Sequence, residues 1–165
     1  MNRRHATCRL GLSMQHGNDM TTPTGRPTAS NATECRISFR QPVDRSGSVD
    51  AGWWPRSNDL TAELPALLDV LWTAARDMRQ VIYNIDGWAP APRQMIIEDH
   101  RVRLDGNPQQ DPLMLALIDA GGNDSARLLV IPFDTHPAIA EELLRLASEP
   151  GNTRTARQLI EMARP

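Results

Sequence analysis

The sequence predicts an α+β fold. A mostly antiparallel sheet of five to six strands, in the order β-α-β-β-β-β-β-α, carries two helices on one face and a short C-terminal helix beyond them. Three observations predict it. Leucines recur at helical spacing after Asp59, the hydrophobic period then drops from 3.6 to 2 between residues 81 and 133, and a second helical stripe follows Pro137. Residues 1–34 read as a disordered arm, residues 35–149 as one domain, and residues 150–165 as a loop with a short amphipathic helix.

The arm has few apolar residues and no sustained period. Its second half is a Thr/Pro/Ser/Gly tract that cannot bury enough surface to offset its ordering entropy. Met20 opens that tract and offers a second start. Order is expected from Arg36, where RISFR alternates with Ile37 and Phe39 on one side, as a half-buried strand does. Residues 41–58 read as loop, with Pro42, Gly47 and Gly52 as breakers. Asp59 then caps a helix whose apolar stripe runs through Leu60, Leu64, Leu67, Leu68, Leu71, Ala75 and Met78. Pro65, inside that stripe, predicts a kink or a short first turn.

Residues 81–85, 94–98, 101–105, 113–120 and 126–133 read as five strands of an antiparallel meander, because their connections are too short for βαβ crossovers. Asp99 and His100 fit a tight turn, and Gly121-Gly122-Asn123-Asp124 a hairpin. The run LMLALI is apolar on both faces and predicts a central strand covered on both sides, whereas RVRLD predicts one wet face. The second helix starts near Pro137, capped by Asp134 or Thr135, and stops at Pro150-Gly151-Asn152. The last stripe, Ala156, Leu159, Ile160 and Ala163, is too short to hold alone and must dock, pair or fray.

Composition narrows the function classes. All 18 basic residues are arginine, scattered among 20 acidic ones for a net charge of −2, so the concentrated positive patch that nucleic acid requires is missing. With a mean hydropathy of −0.45 and no long apolar run, no membrane span is expected. The arm lacks the apolar core of a secretory signal, which predicts a cytoplasmic protein with Cys8 and Cys35 reduced. His5, His16, His100 and His136 have no ligand partners at metal spacing, so no metal is expected. No glycine-rich phosphate loop, dinucleotide fingerprint or nucleophile elbow is present, and no cofactor is expected.

Two segments stand out. In GWWPRSNDL, Trp53 and Trp54 are adjacent in a chain only 4% aromatic, and Arg56, Ser57 and Asp59 follow at a helix start. Adjacent side chains of an extended segment face opposite ways, so one indole is expected in the core and the other on the surface. The same residues also read as structure: a core plug, a rigid turn and a cap. In YNIDGWAPAP, Asn84 and Asp86 share a strand face and Trp88 lies in a Gly/Pro turn. Against GWWP they would line one pocket; otherwise Asn84 ties down loop backbone and Trp88 lids the sheet edge.

Three functional expectations follow. The first is a non-catalytic binding or interaction module for a protein or small ligand, using a Trp53/Trp54/Arg56/Trp88 surface. The alternative is a small enzyme with a pocket near Asp59, Asn84 and Asp86. A regulatory role through the C-terminal helix is a third.

The stretch W-W-P-x-S-x-D-L-x-x-E-L-P, followed by YNIDGWAPAPRQM, RVRLDG and IPFDTHPA, resembles a domain of unknown function found in small proteins of high-GC Gram-positive (actinobacterial) bacteria. The resemblance spans residues 36–153 and rests on Gly52, Trp53, Trp54, Pro55, Ser57, Asp59, Leu60, Glu63, Leu64, Pro65, Asn84 and Trp88. It implies a fold group and no activity, and it suits a lysine-free composition.

Overall fold

A computed structural model describes residues 35–40 and 47–164; the arm 1–34, with Cys8, lies outside them. The described residues form β1 (Ile37–Phe39), β2 (Ala51–Trp53), α1 (Leu60–Thr73), β3 (Met78–Tyr83), β4 (Gln94–Ile97), β5 (His100–Gly106), β6 (Met114–Asp119), β7 (Ser125–Val130), α2 (Pro137–Ala147) and α3 (Ala156–Met162). The fold is α+β. The strands make one seven-stranded sheet in the order β1-β2-β7-β6-β3-β5-β4.

The sheet is mixed, which corrects the meander. Four neighbouring pairs are antiparallel, but β2 runs parallel to β7 and β3 parallel to β5. The reason lies in residues 84–93, a loop long enough to carry the chain from β3 past the position of β5 to β4. The β4–β5 hairpin then folds back against β3. Sequential strands pair often but not always, and the sheet has seven strands because residues 51–53, expected as loop, pair with β1 and β7 as β2. The LMLALI strand, β6, is fourth of seven and central, as expected.

The helices cover both faces, not one. On the first face Leu60, Leu64, Leu67, Leu68 and Leu71 of α1 bury against Trp53, Val81, Val102, Leu104, Leu115, Leu117 and Leu128. On the second, Ala140, Leu143, Leu146 and Ala147 of α2 join Ala156 and Leu159 of α3 over Trp54, Leu129 and Ile131. β7 therefore spends Leu128 and Leu129 on opposite cores, the period-2 alternation of a strand buried on both sides. α3 docks on its own fold through Ala156 and Leu159.

The helix ends differ from expectation in two places. α1 runs unbroken through Pro65 and closes at Thr73, so Ala75 and Met78 leave it, Met78 to begin β3. The cap of α2 is His136, whose Nδ1 accepts the Ala138 N–H at 3.3 Å. Gly52 shows why β2 is strand: a Cβ there would meet Ala147 Cβ at 3.0 Å and Leu144 Cα at 3.3 Å, so α2 rests on its bare backbone.

Candidate functional site

Strand directions gather the candidate residues at one edge. β2 parallels β7, β7 opposes β6 and β6 opposes β3, so β3 runs with β7, and β5 runs with β3. All four strands end at the same side of the sheet. Residues 54–59 follow β2, residues 84–88 follow β3, residues 107–112 follow β5 and residues 131–136 follow β7. Both long helices start there: α1, after β2, crosses one face, and α2, after β7, crosses the other. Neighbouring parallel strands whose following helices diverge form a switch point, where open sheets with parallel strands hold ligands.

The two segments singled out in the sequence meet at this edge. Trp88 stacks on Trp53 with ring centroids 5.6 Å apart and planes 17° apart. The Ala89 N–H donates to the Asn58 carbonyl at 2.9 Å. The expected surface indole is corrected: Trp53 is 1% and Trp54 9% exposed, because β2 has a core on each face. Trp54 is further roofed by Arg36, whose guanidinium lies 3.5 Å from the ring centroid. Arg36 Nε donates to the Trp54 carbonyl at 3.0 Å and Nη2 to the Pro55 carbonyl at 2.6 Å. Burial, and then the neighbouring Arg56, lower the Arg36 pKa from its ordinary value, while Glu63 and Cys35 oppose them.

The remaining motif residues form a latch over the start of α1. Glu63 reaches back so that Oε2 accepts the Arg56 N–H at 3.1 Å and Oε1 the Ser57 hydroxyl at 2.9 Å. Asp59 Oδ1 accepts Thr61 N–H at 3.0 Å, the Thr61 hydroxyl at 2.6 Å and Ala62 N–H at 3.2 Å. These bonds, the Thr61 hydroxyl foremost, hold the exposed Asp59 carboxylate below its ordinary range. The spacing S-x-D-x-x-x-E is thus what a helix start after a strand requires: a cap and a return hydrogen bond.

Asn84 is buried and does for two loops what Asp59 does for a helix. Its Nδ2 donates to the Gln110 carbonyl at 2.6 Å and the Pro108 carbonyl at 3.4 Å, and its Oδ1 accepts Asp86 N–H at 2.9 Å and Gly87 N–H at 3.1 Å. Asp86 points to solvent beside it. Among the described residues no cluster of three His, Cys, Asp or Glu side chains could hold a metal ion, and no helix is long and apolar enough to cross a membrane.

What faces solvent at the edge was not singled out in the sequence. Ile85 is 50% exposed just past β3 and Phe133 46% exposed just past β7, with Arg56 exposed past β2. The sequence pattern makes both the last residues of strands, whereas β3 ends at Tyr83 and β7 at Val130; only Pro132 signals that Phe133 lies beyond the sheet.

No curated protein and no solved structure gives a significant match to the chain. The profile of DUF5994, a family of unknown function, matches residues 36–147, a span that holds every element from β1 to α2 and the whole latch, and the chain belongs to that family.

Proposed function

We propose that this chain is a non-catalytic binding module that docks a protein partner on the carboxyl edge of its sheet, around residues 53–59. The observation that carries the reading is the exposure there of Phe133, Ile85 and Arg56 at the ends of three strands of one rigid sheet. Aromatic and arginine side chains are the ones that anchor protein interfaces, and large exposed apolar residues are otherwise few on this surface. The Trp pair supports the edge from below. Enzyme chemistry at Asp59 has less support: a general base works best with its pKa raised toward neutrality, and this one is lowered. The Asn84 amide is likewise committed to four loop backbone groups.

The test is quantitative affinity capture with the full chain and an Arg56→Glu/Phe133→Asp variant. The variant should melt with the parent and retain at least roughly tenfold less of any protein that the parent enriches. Equal enrichment by both proteins refutes the carboxyl edge as the docking surface.

A further inference from the structure

Among the described residues β4 (Gln94–Ile97) ends the sheet and pairs only with β5. Its register is Gln94↔Arg103, Met95↔Val102, Ile96↔Arg101 and Ile97↔His100, and Leu104 N–H donates to the Arg93 carbonyl at 2.8 Å. Backbone groups alternate in direction along an antiparallel strand. Those of Arg93, Met95 and Ile97 therefore face β5, and those of Gln94 and Ile96 face outward from the sheet. Ile96 is 72% exposed, more than any other exposed large hydrophobic among the described residues. Arg93 flanks it on one side and Glu98 and Asp99 on the other, all three exposed. None of these three charged side chains has an ion pair among the described residues.

We propose that β4 is a homodimer edge, to which a second copy of this chain adds its own β4 in antiparallel sense across a two-fold axis. The segment reads positive, apolar, negative, and so is its own complement when reversed. Centred on Ile96, the pairing sets Ile96 against Ile96 of the second copy, with both N–H and C=O groups exchanged. Arg93 then lies at the end where the acidic Glu98–Asp99 turn of the second copy sits, twice over. Parallel pairing would instead put like charges side by side. A two-fold contact is isologous, and strand addition supplies its main-chain hydrogen bonds. An unrelated strand would need this charge pattern by coincidence; a second copy has it by identity.

One four-residue strand makes a small contact, so dissociation is expected at roughly 1–100 μM. Sedimentation equilibrium of the full chain should show a monomer–dimer exchange that weakens with salt, since the flanking ion pairs are exposed. Ile96→Lys should abolish the dimer without lowering the melting temperature. Arg93→Asp should weaken it at least roughly tenfold, and Arg93→Asp/Asp99→Arg should restore it. A chain that remains monomeric at roughly 300 μM overturns the proposal. A dimer that survives Ile96→Lys, or is lost in it yet indifferent to Arg93→Asp, also overturns it. Dimerisation through the carboxyl edge is distinguished by its response to Phe133→Asp.

Discussion

Asp59 shows how one side chain can be read twice in a sequence and once in a structure. A carboxylate at a helix start fits a cap or a general base; here Oδ1 accepts from Thr61 and Ala62, which makes it a cap. A cap needs an acceptor and no proton transfer. Asp59→Asn should therefore melt close to the parent at neutral pH, while Asp59→Ala should melt lower. The sign of the pH dependence follows from linkage. The folded pKa lies below the ordinary 3.8, so the unfolded chain takes up the proton first as pH falls. The carboxylate's contribution is in full above that ordinary value and is lost as pH drops through the lower folded one. Chemical denaturation from pH 6 downward checks it: parent and Asp59→Asn should stay level near neutrality, and the parent should fall below the variant only on the acid side.

Among the elements, α1 is the most instructive, because its apolar stripe runs past its true end. The leucine spacing continues through Ala75 and Met78, yet the helix closes at Thr73. Arg76 N–H bonds back to the Leu71 carbonyl and Ala75 N–H to that of Trp72, both at 2.9 Å. This is a Schellman closure, and it puts Ala75 at φ 60°, a conformation that suits glycine. Ala75→Gly should gain up to about 1 kcal/mol, read as a higher urea midpoint with an unchanged slope. Pro65 does not interrupt the same helix because the carbonyl it leaves without its helical donor, that of Thr61, lies in the half-exposed first turn. α3 carries the opposite lesson: Thr155 and Gln158 form a reciprocal capping box, a T-x-x-Q signal that fixes the start of a helix too short to stand alone.

At the scale of the molecule, a polar joint fastens the two-faced sheet to its second helical layer. Arg40, just past β1 and 1% exposed, donates to the Asn152 carbonyl beyond α2 at 2.5 Å and lies 3.6 Å from Asp50, just before β2. Asp50 accepts the Arg127 N–H of β7 at 2.8 Å, and Arg127 reaches the Gly47 carbonyl at 2.6 Å. A Cβ at Gly47 would overlap the Arg40 guanidinium and the Asn152 carbonyl. The joint thus ties together segments more than a hundred positions apart, Arg40 and Asn152 being separated by 112. Deleting Arg40 takes the donor from the Asn152 carbonyl, empties the space its side chain fills and leaves Asp50 with the Arg127 contacts alone. Arg40→Ala should cost about 3–5 kcal/mol in urea unfolding, far more than loss of an exposed pair such as Glu142 and Arg145.

Local chemistry wrote much of this protein into its sequence. The Asp59 cap, the leucine stripe of α1, the Gly122 hairpin turn and the double-sided apolar pattern of β6 depend on neighbours within a few residues, and each is visible as a pattern. Strand β2 was not, because Ala51-Gly52-Trp53 is short, contains a strand-weakening glycine and forms only where α2 presses on it. Neither was the parallel pairing of β3 with β5, since nothing in a strand's own alternation says which strand will lie beside it. Both tryptophans are buried for the same reason: alternation placed them on opposite faces, and only the arrival of helices on both sides decided that neither face met water. The candidate site followed that division. Asn84 and Asp59 were legible as polar anchors, whereas Ile85, Phe133 and Arg56 come to the same edge only because the strands they follow end on one side of the sheet.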